Sequence, residues 1–239
     1  MVKAVVLAIS VLLVASCSVV QPDSSQLSGG VSSASETLMF WLEQDKINQL
    51  TPEQLKQLPG AAIYAQLGEQ PIATLVLAEQ INRTGRVERR WLSAKEALIT
   101  RNGRITRSEG MPHNLMFVAN LNADPLGCYQ QQLRDSAAAP HCVRTWQSFL
   151  DYENSNQRVE RIHIQSRFNW SVDQNIATPL RGKRKTRELV EDVHTQSGLT
   201  WQNRYWIEYH SGDIIQSKQH FGIGDHRDSG TLMLREARY

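Results

Sequence analysis

The sequence lacks the strong charge imbalance that marks proteins that bind nucleic acid. Its 26 Lys and Arg residues are nearly balanced by 24 Asp and Glu residues, which gives a formal net charge of +2. Lys3 is the only charged residue among the first 16, so the remainder of the chain carries +1. Because a nucleic-acid-binding domain is typically strongly basic, we expect no nucleic-acid partner.

Long apolar runs are also missing. A membrane-spanning helix needs about 20 consecutive apolar residues. The apolar run at residues 4–15 is shorter, and no later segment reaches that length without a charged residue. The sequence therefore excludes a helical membrane span, and residues 4–15 require another explanation.

The residues around this short run are typical of a bacterial lipoprotein export signal. Lys3 precedes the run, a Val-Ala-Ser tripeptide resembling a lipobox ends it, and Cys17 follows. This order predicts a lipoprotein signal peptide at residues 1–16 and acylation of Cys17. An ordinary signal peptide with an incidental cysteine and a buried N-terminal helix are the alternatives.

Acylation at Cys17 predicts attachment to membrane lipid. One acyl chain binds a membrane only marginally, whereas several together form a stable anchor. Ser18 follows the cysteine, where an aspartate favours inner-membrane retention in the lipoproteins that this chain resembles. We therefore expect a lipid-anchored protein of the bacterial outer membrane that faces the periplasm.

The composition of residues 17–239 predicts a tether followed by one domain. Residues 17–35 are rich in Ser, Gly and Gln and predict a flexible tether. Residues 36–239 are expected to form a single β-rich domain. A helix is predicted near its start, where Leu38, Trp41, Leu42 and Ile47 have nearly helical spacing. A second helix is predicted after Thr51, which can cap it with Gln54 as its capping-box partner.

Short apolar or alternating segments separated by turn residues follow. The strongest turn signal is Asn102-Gly103, a dipeptide typical of a two-residue hairpin. Residues 159–170 alternate, and residues 124–140 are predicted to be a loop. The expected fold is mainly β, a curved and largely antiparallel sheet with a half-barrel-like shape and a few N-terminal helices.

Two cysteines remain after Cys17. Cys128 and Cys142 would close a loop of about 15 residues, and an oxidising periplasm would favour their pairing. The chain-entropy model gives such a loop about 3 kcal/mol of stabilisation. A disulfide is therefore predicted, with two separate buried thiols as the alternative.

Two ordered blocks of sequence resemble a known family. The first comprises Ala-Ile-Tyr-Ala-Gln-Leu-Gly at 62–68, Leu-Val-Leu-Ala at 75–78, Arg-Trp-Leu-Ser-Ala at 90–94, Leu-Ile-Thr-Arg-Asn-Gly-Arg-Ile-Thr-Arg at 98–107, Gly110 and Asn-Leu at 114–115. The second comprises Asn-Arg-Tyr-Trp-Ile-Glu at 203–208, Gly212 and Ser-Lys-Gln at 217–219. Together with Cys17 they resemble the group 4 capsule polysaccharide lipoprotein family (GfcB/YjbF type).

This resemblance implies an outer-membrane lipoprotein that works in capsule or exopolysaccharide production or export. It implies a curved antiparallel sheet with flanking helices, and it supplies no catalytic residues to carry over to this chain. Its implied partners are polysaccharide export or assembly proteins, or the polysaccharide itself. Residues 124–142 and the basic segment near Arg181 depart from the family pattern.

That basic segment is the densest run of positive charge. Arg181, Lys183, Arg184 and Lys185 are a candidate contact for an anionic polymer, since Arg pairs with carboxylate and phosphate in two-pronged geometry. A solvated surface loop is the alternative.

Motifs for other chemistry are weak. His220, Asp225, His226 and Asp228 form a mixed cluster without a recognised metal-ligand spacing, so a polar loop is favoured and no metal or other cofactor is expected. His210 and Asp213 flank a turn that contains no nucleophile elbow.

We therefore predict a non-enzymatic protein. One alternative is a lipid- or lipoprotein-carrier-like binding module, which requires an open apolar cavity of about 300 Å³ or more. The other is a glycan-modifying enzyme, which requires paired carboxylates about 5–9.5 Å apart.

Overall fold

The computed structural model describes residues 49–83, 86–135, 140–154, 156–222 and 230–239. Cys17, the predicted tether and the predicted helix before residue 48 lie outside the described residues. So do Asp225, His226 and Asp228.

Twelve strands form one sheet in which every hydrogen-bonded pair is antiparallel. They are β1 (Ala62–Leu67), β2 (Ala73–Arg83), β3 (Arg86–Leu92), β4 (Ala97–Arg101), β5 (Arg104–Glu109), β6 (Asn114–Val118), β7 (Thr145–Glu153), β8 (Val159–Thr178), β9 (Gly182–Thr195), β10 (Thr200–Glu208), β11 (Ile214–Phe221) and β12 (Gly230–Arg238). Two described helices accompany them, α1 (Pro52–Gln57) and α2 (Leu126–Arg134).

The sheet curls into a nearly closed barrel. Its order runs from β5 through β1 to β12 and back to β6, so each strand lies beside its neighbours in sequence and β12 pairs with β1. The two edge strands, β5 and β6, meet without a ladder. A side chain joins them instead, since the buried Ser108 hydroxyl accepts a hydrogen bond from the backbone N–H of Leu115 at 2.9 Å. The predicted mainly β, antiparallel fold is confirmed, and the sheet is more nearly closed than a half-barrel.

Local sequence explains several of these elements. Asn102 and Gly103 both have positive φ, of 49° and 83°, as the two-residue β4–β5 hairpin requires. At the start of α1, the Thr51 hydroxyl accepts from Gln54 N–H while the Gln54 side chain accepts from Thr51 N–H. The predicted hairpin and capping box are therefore both present.

Alternation along the strands places one main core inside the barrel. Buried residues from opposite sides of the sheet share this core, among them Leu75, Leu98, Phe168, Leu189 and Tyr205. A second, smaller core lies under α1, where Leu55 packs with Tyr64 and Val76. The barrel interior is therefore filled by side chains over most of its length.

Helix α2 contributes to the main core and corrects one prediction. Residues 124–140 were expected to be a loop, but Leu126 and Tyr129 of α2 are buried among the interior side chains. The helix lies in the β6–β7 connection, at the end of the barrel that also holds the β8–β9 and β10–β11 turns. It therefore caps that end.

Candidate functional site

A groove of about 710 Å³ lies between α2 and the β8–β9 strands. One wall comes from α2 and the segment after it, with Tyr129, Gln132, Leu133, His141, Cys142 and Arg144. The other comes from β8, β9 and the end of β10, with Phe168, Asn169, Trp170, Arg187 and Tyr209. Its volume falls within the range of about 300–1,000 Å³ that is usual for ligand sites.

The first wall is covalently fixed. Cys128 and Cys142 form a disulfide with their Cα atoms 5.7 Å apart, so the predicted pairing is present. The bond ties α2 to the segment that carries His141 and Arg144, both of which are exposed. The predicted disulfide therefore holds one side of the groove in place.

On the second wall, the guanidinium of Arg187 packs against the ring of Trp170. The Trp170 Nε1–H donates to the Gln132 Oε1 at 3.1 Å, and the edge of Tyr129 meets the Trp170 ring at 5.4 Å. The guanidinium of Arg187 lies 5.2 Å from the centre of the same ring. Two residues of the first wall thus hold Trp170 in place, and the Arg187 guanidinium packs on its ring.

Tyr209, which lines the same groove, repeats this pairing of a ring with a cation. Lys185 Nζ lies 4.7 Å from the centre of its ring, and its hydroxyl donates to Asp173 at 2.7 Å. Burial, followed by the bond to Asp173, raises the pKa of Tyr209, so the hydroxyl stays protonated as a donor.

The turn after Tyr209 packs directly on α2. A Cβ added at Gly212, where φ is +74°, would lie 2.8 Å from the backbone oxygen of Gln130. Only glycine permits this close approach, which brings the end of β10 against the groove.

The predicted basic run at residues 181–187 has its side chains on two different faces of the sheet, because successive side chains of a strand alternate between faces. Arg181 and Arg184 pair with buried carboxylates, Arg181 with Glu236 at 2.8 Å and Arg184 with Glu208. Lys183 and Lys185 are exposed and project from the other face of β9. Arg187 shares that face and lines the groove, and Lys185 lies over the ring of the groove residue Tyr209.

A cluster of charged side chains lies in the barrel interior. Arg104 donates to Asp124 at 2.6 and 3.2 Å and to Glu191 at 2.9 Å, and its guanidinium stacks on Trp146 at 4.4 Å. The Tyr205 hydroxyl donates to Glu191 at 3.1 Å.

Electrostatics keep this cluster ionised despite its burial. Burial opposes the charge of Arg104, but Asp124 and Glu191 outweigh it and raise the arginine pKa well above its ordinary value. Burial likewise disfavours ionised Glu191, but Arg104 and Asn203 hold the glutamate pKa below its usual value. Burial is the main cause that raises the pKa of Tyr205, which stays a hydrogen-bond donor.

This interior cluster has no room for a substrate. The cavity beside it measures about 30 Å³, enough for a water molecule or two. Asp124 and Glu191 are bound to the same guanidinium and face no open cleft. The arrangement is that of a structural ion cluster.

Polar side chains of the turn at residues 209–213 also have partners within the protein. The Ser211 hydroxyl donates to Glu208 at 2.7 Å and accepts from the Asp213 N–H. Asp213 also lies 3.8 Å from Arg89. Ser211 therefore serves the turn, and the carboxylate that it contacts is itself paired with Arg184.

A second cavity, of about 660 Å³, opens at the opposite end of the barrel. It lies beside the β1–β2 turn, the β3–β4 turn and the β5–β6 connection. Its lining is mainly apolar and includes Leu67, Ala73, Leu75, Leu98, Met111 and Leu232. An apolar chain is the kind of ligand that this lining can hold.

The remaining predicted positions form no further site in the described part of the chain. His220 stacks on Trp201 at 4.4 Å, and burial lowers its pKa. Residues 49–222 and 230–239, apart from the short gaps within them, contain no group of His, Cys, Asp and Glu suited to hold a metal ion. No described helix has the length and apolar character needed to cross a membrane.

Sequence reasoning had missed the groove itself. No local pattern in the sequence singled out Gln132, Arg144, Trp170 or Tyr209. The spacing of Leu126, Tyr129 and Leu133 is the helical signal in residues 124–140 that could have revealed the groove's first wall.

Comparisons with known proteins extend over most of the chain. The family model described as "Group 4 capsule polysaccharide lipoprotein gfcB, YjbF" matches residues 35–224. The uncharacterized lipoprotein YjbF of Escherichia coli K12 is 31% identical over 193 residues, which cover 80% of this chain and 82% of that protein. The uncharacterized lipoprotein GfcB of the same organism is 27% identical over 178 residues, covering 72% and 75%.

A crystal structure shares the fold. The hypothetical lipoprotein YmcC of Escherichia coli K12 superimposes with a TM-score of 0.66 at 22% identity, over 87% of this chain and 94% of that one.

Proposed function

This chain belongs to the group 4 capsule polysaccharide lipoprotein family, and we propose that it is an outer-membrane lipoprotein that assists capsule or exopolysaccharide production or export without catalysing a reaction. The family match across residues 35–224 is the observation that carries this proposal. Its partners are then export or assembly proteins, or the polysaccharide itself.

Anchoring is part of the proposal. Residues 1–16 direct export, acylated Cys17 inserts into the outer membrane, and residues 17–35 tether the domain of residues 36–239 on the periplasmic side. Export also accounts for a disulfide, because paired cysteines persist in an oxidising compartment.

The geometry favours binding over turnover. The interior carboxylates of Asp124 and Glu191 are tied to Arg104 and closed off from solvent, whereas the open groove presents cations and aromatic rings. A glycosidase needs two carboxylates facing one cleft, and no carboxylate is among the described residues that line the groove.

A clean gene deletion in the source bacterium tests the proposal. We expect surface polysaccharide to fall, to recover with the wild-type gene, and to stay low with Cys17→Ala made in equal amount. Unchanged surface polymer in the deletion strain would contradict the proposed function. Cleavage of isolated polymer by the purified protein would contradict its non-enzymatic part.

The cavity at the opposite end of the barrel favours a second candidate, a lipid- or lipoprotein-carrier-like module. Its volume of about 660 Å³ exceeds the minimum of about 300 Å³ that a ligand pocket requires, and its lining is apolar enough for an acyl chain. The capping helix α2 occupies the other end of the barrel and leaves this cavity open.

Lipid binding in the cavity can be tested by filling it. Ala73 lines the cavity, so Ala73→Trp should abolish capture of a fluorescent fatty acid. Ala78→Trp, on the exposed part of the same strand, is the matched control and should bind as wild type does. Equal binding by both variants, or none by the wild-type protein, would exclude the carrier function.

A further inference from the structure

We propose that the groove between α2 and the β8–β9 strands binds an acidic polysaccharide segment through the carboxylates of its sugar units. This inference rests on the proposed function, which supplies a polysaccharide, and adds the class of sugar and the surface that holds it.

Positive charge dominates the groove. Arg144 and Arg187 line the groove, and Lys185 lies over the ring of Tyr209 at its margin. Asp173 is the carboxylate beside Arg187 and Tyr209. Arg144 donates to the amide oxygen of Asn169 and has no carboxylate partner among the described residues. An anion entering the groove would therefore meet more positive than negative charge.

Arg187 retains hydrogen-bonding capacity. Its Nε is buried, and within the described ranges it has no hydrogen-bond acceptor. Asp173 approaches it only to 3.7 Å, beyond hydrogen-bond distance. A buried donor of this kind is normally satisfied. Because the Arg187 side chain as a whole is partly exposed, a bound carboxylate would satisfy the Nε once the guanidinium turns toward the groove.

The aromatic rings distinguish a sugar acid from a simple anion. Trp170 and Tyr209 are each partly exposed and line the same groove as the cations. Their apolar rings suit the C–H faces of a pyranose, while the amide nitrogen of Asn169 can donate to a hydroxyl. Guanidinium groups bind carboxylates in two-pronged geometry. The combination matches a uronic acid better than a neutral sugar.

The walls are held before any ligand arrives. The disulfide fixes the Arg144 side, the bond from Trp170 to Gln132 joins the two sides, and the tight contact at Gly212 fixes Tyr209. A site that is already ordered loses less entropy on binding.

The experiment measures binding by the full-length protein in detergent micelles. Calorimetric titration uses oligogalacturonate of about six units as the acidic probe and a dextran oligomer of equal length as the neutral one. We expect saturable, salt-sensitive binding of oligogalacturonate and at least tenfold weaker binding of dextran. Arg144→Gln combined with Arg187→Gln should weaken oligogalacturonate binding roughly tenfold or more, since each lost bond involves a charged group.

Arg167→Gln is the matched control. Arg167 is exposed on the opposite face of β8, three positions from Trp170, and should leave the affinity unchanged. A Lys185→Gln variant, which changes an exposed side chain, gives a second test in case the double variant does not fold. No saturable binding by the wild-type protein, or equal affinity of the groove variants and Arg167→Gln, would overturn the inference.

Complementation separates this inference from the proposed function. A deletion strain that regains full surface polymer with the double variant would overturn the groove inference and leave the proposed function standing. A deletion strain that never loses its polymer would contradict the proposed function, while the titration would still decide whether the groove binds uronic acids.

Discussion

The interior ion cluster should make Arg104 one of the most sensitive positions in the protein. Replacement by Met keeps much of the apolar stem but removes the charge that Asp124 and Glu191 share. Glu191 would then be fully buried without its cation. Removing one partner of a buried ion pair costs about 3–5 kcal/mol, which corresponds to a fall in Tm of roughly 6–20 °C for a protein of this size.

The pH dependence provides a sharper test of the same idea. In the wild-type protein the folded-state pKa of Glu191 is lowered, so its contribution to stability is present above the unfolded value of about 4.3 and is lost as the pH falls through the folded pKa. In Arg104→Met, burial remains while the attraction is gone, so the folded pKa of Glu191 should rise above the unfolded value. The stability difference between the two proteins should therefore be largest at pH 7 and shrink as the pH falls toward 5.

Chemical denaturation followed by tryptophan fluorescence at both pH values measures this effect. Arg107→Met is the matched control, because Arg107 lies on the same strand in a half-exposed pair with Glu109. It should change the free energy of unfolding by no more than about 0.5 kcal/mol. If Arg104→Met unfolds within about 1 kcal/mol of the wild-type protein at pH 7, the reasoning about the cluster is wrong.

Three further predictions concern stability and are measured by equilibrium unfolding. Replacing both Cys128 and Cys142 by Ser should cost about 3 kcal/mol, and the wild-type protein in reductant should lose as much; equal stability of oxidised and reduced protein would refute this. Leu126→Ala should cost about 2–5 kcal/mol because the side chain is fully buried in the main core, and a loss below 1 kcal/mol would show that α2 does not cap the barrel tightly. Gly103→Ala should destabilise more than Gly182→Ala, since both have positive φ but only at Gly103 would the new Cβ clash with a neighbour, Ile214; the opposite order would contradict the packing described for the hairpin.

The strand pattern was largely readable from the sequence because it depends on local signals. A two-residue hairpin turn requires positive φ at two successive positions, which Asn102 and Gly103 tolerate, so the dipeptide alone indicates the β4–β5 hairpin. Thr51 and Gln54 likewise satisfy each other across a single helical turn. Where neighbours in sequence make the structure, sequence reasoning succeeded.

Helix α2 was missed because tertiary contacts make it. It begins after Pro125 without a side-chain cap, and it contains Gly and Cys, which are weak helix formers. The helix is stabilised instead by burial of Leu126 and Tyr129 in the barrel and by the disulfide between Cys128 and Cys142.

The candidate site was predicted only in outline. The basic run was recognised as charge, but strand alternation decides which cations reach the groove, and Arg181 and Arg184 are neutralised by Glu236 and Glu208. Those glutamates lie far away in sequence, so no local pattern could reveal the pairing.

Mass spectrometry of the native protein, recovered from outer-membrane fractions, tests the central claim most directly. The account predicts an intact mass for a chain that starts at Cys17 and carries acyl groups on its thioether glycerol and its amine. An unprocessed chain that starts at Met1 and carries no fatty acid would contradict it.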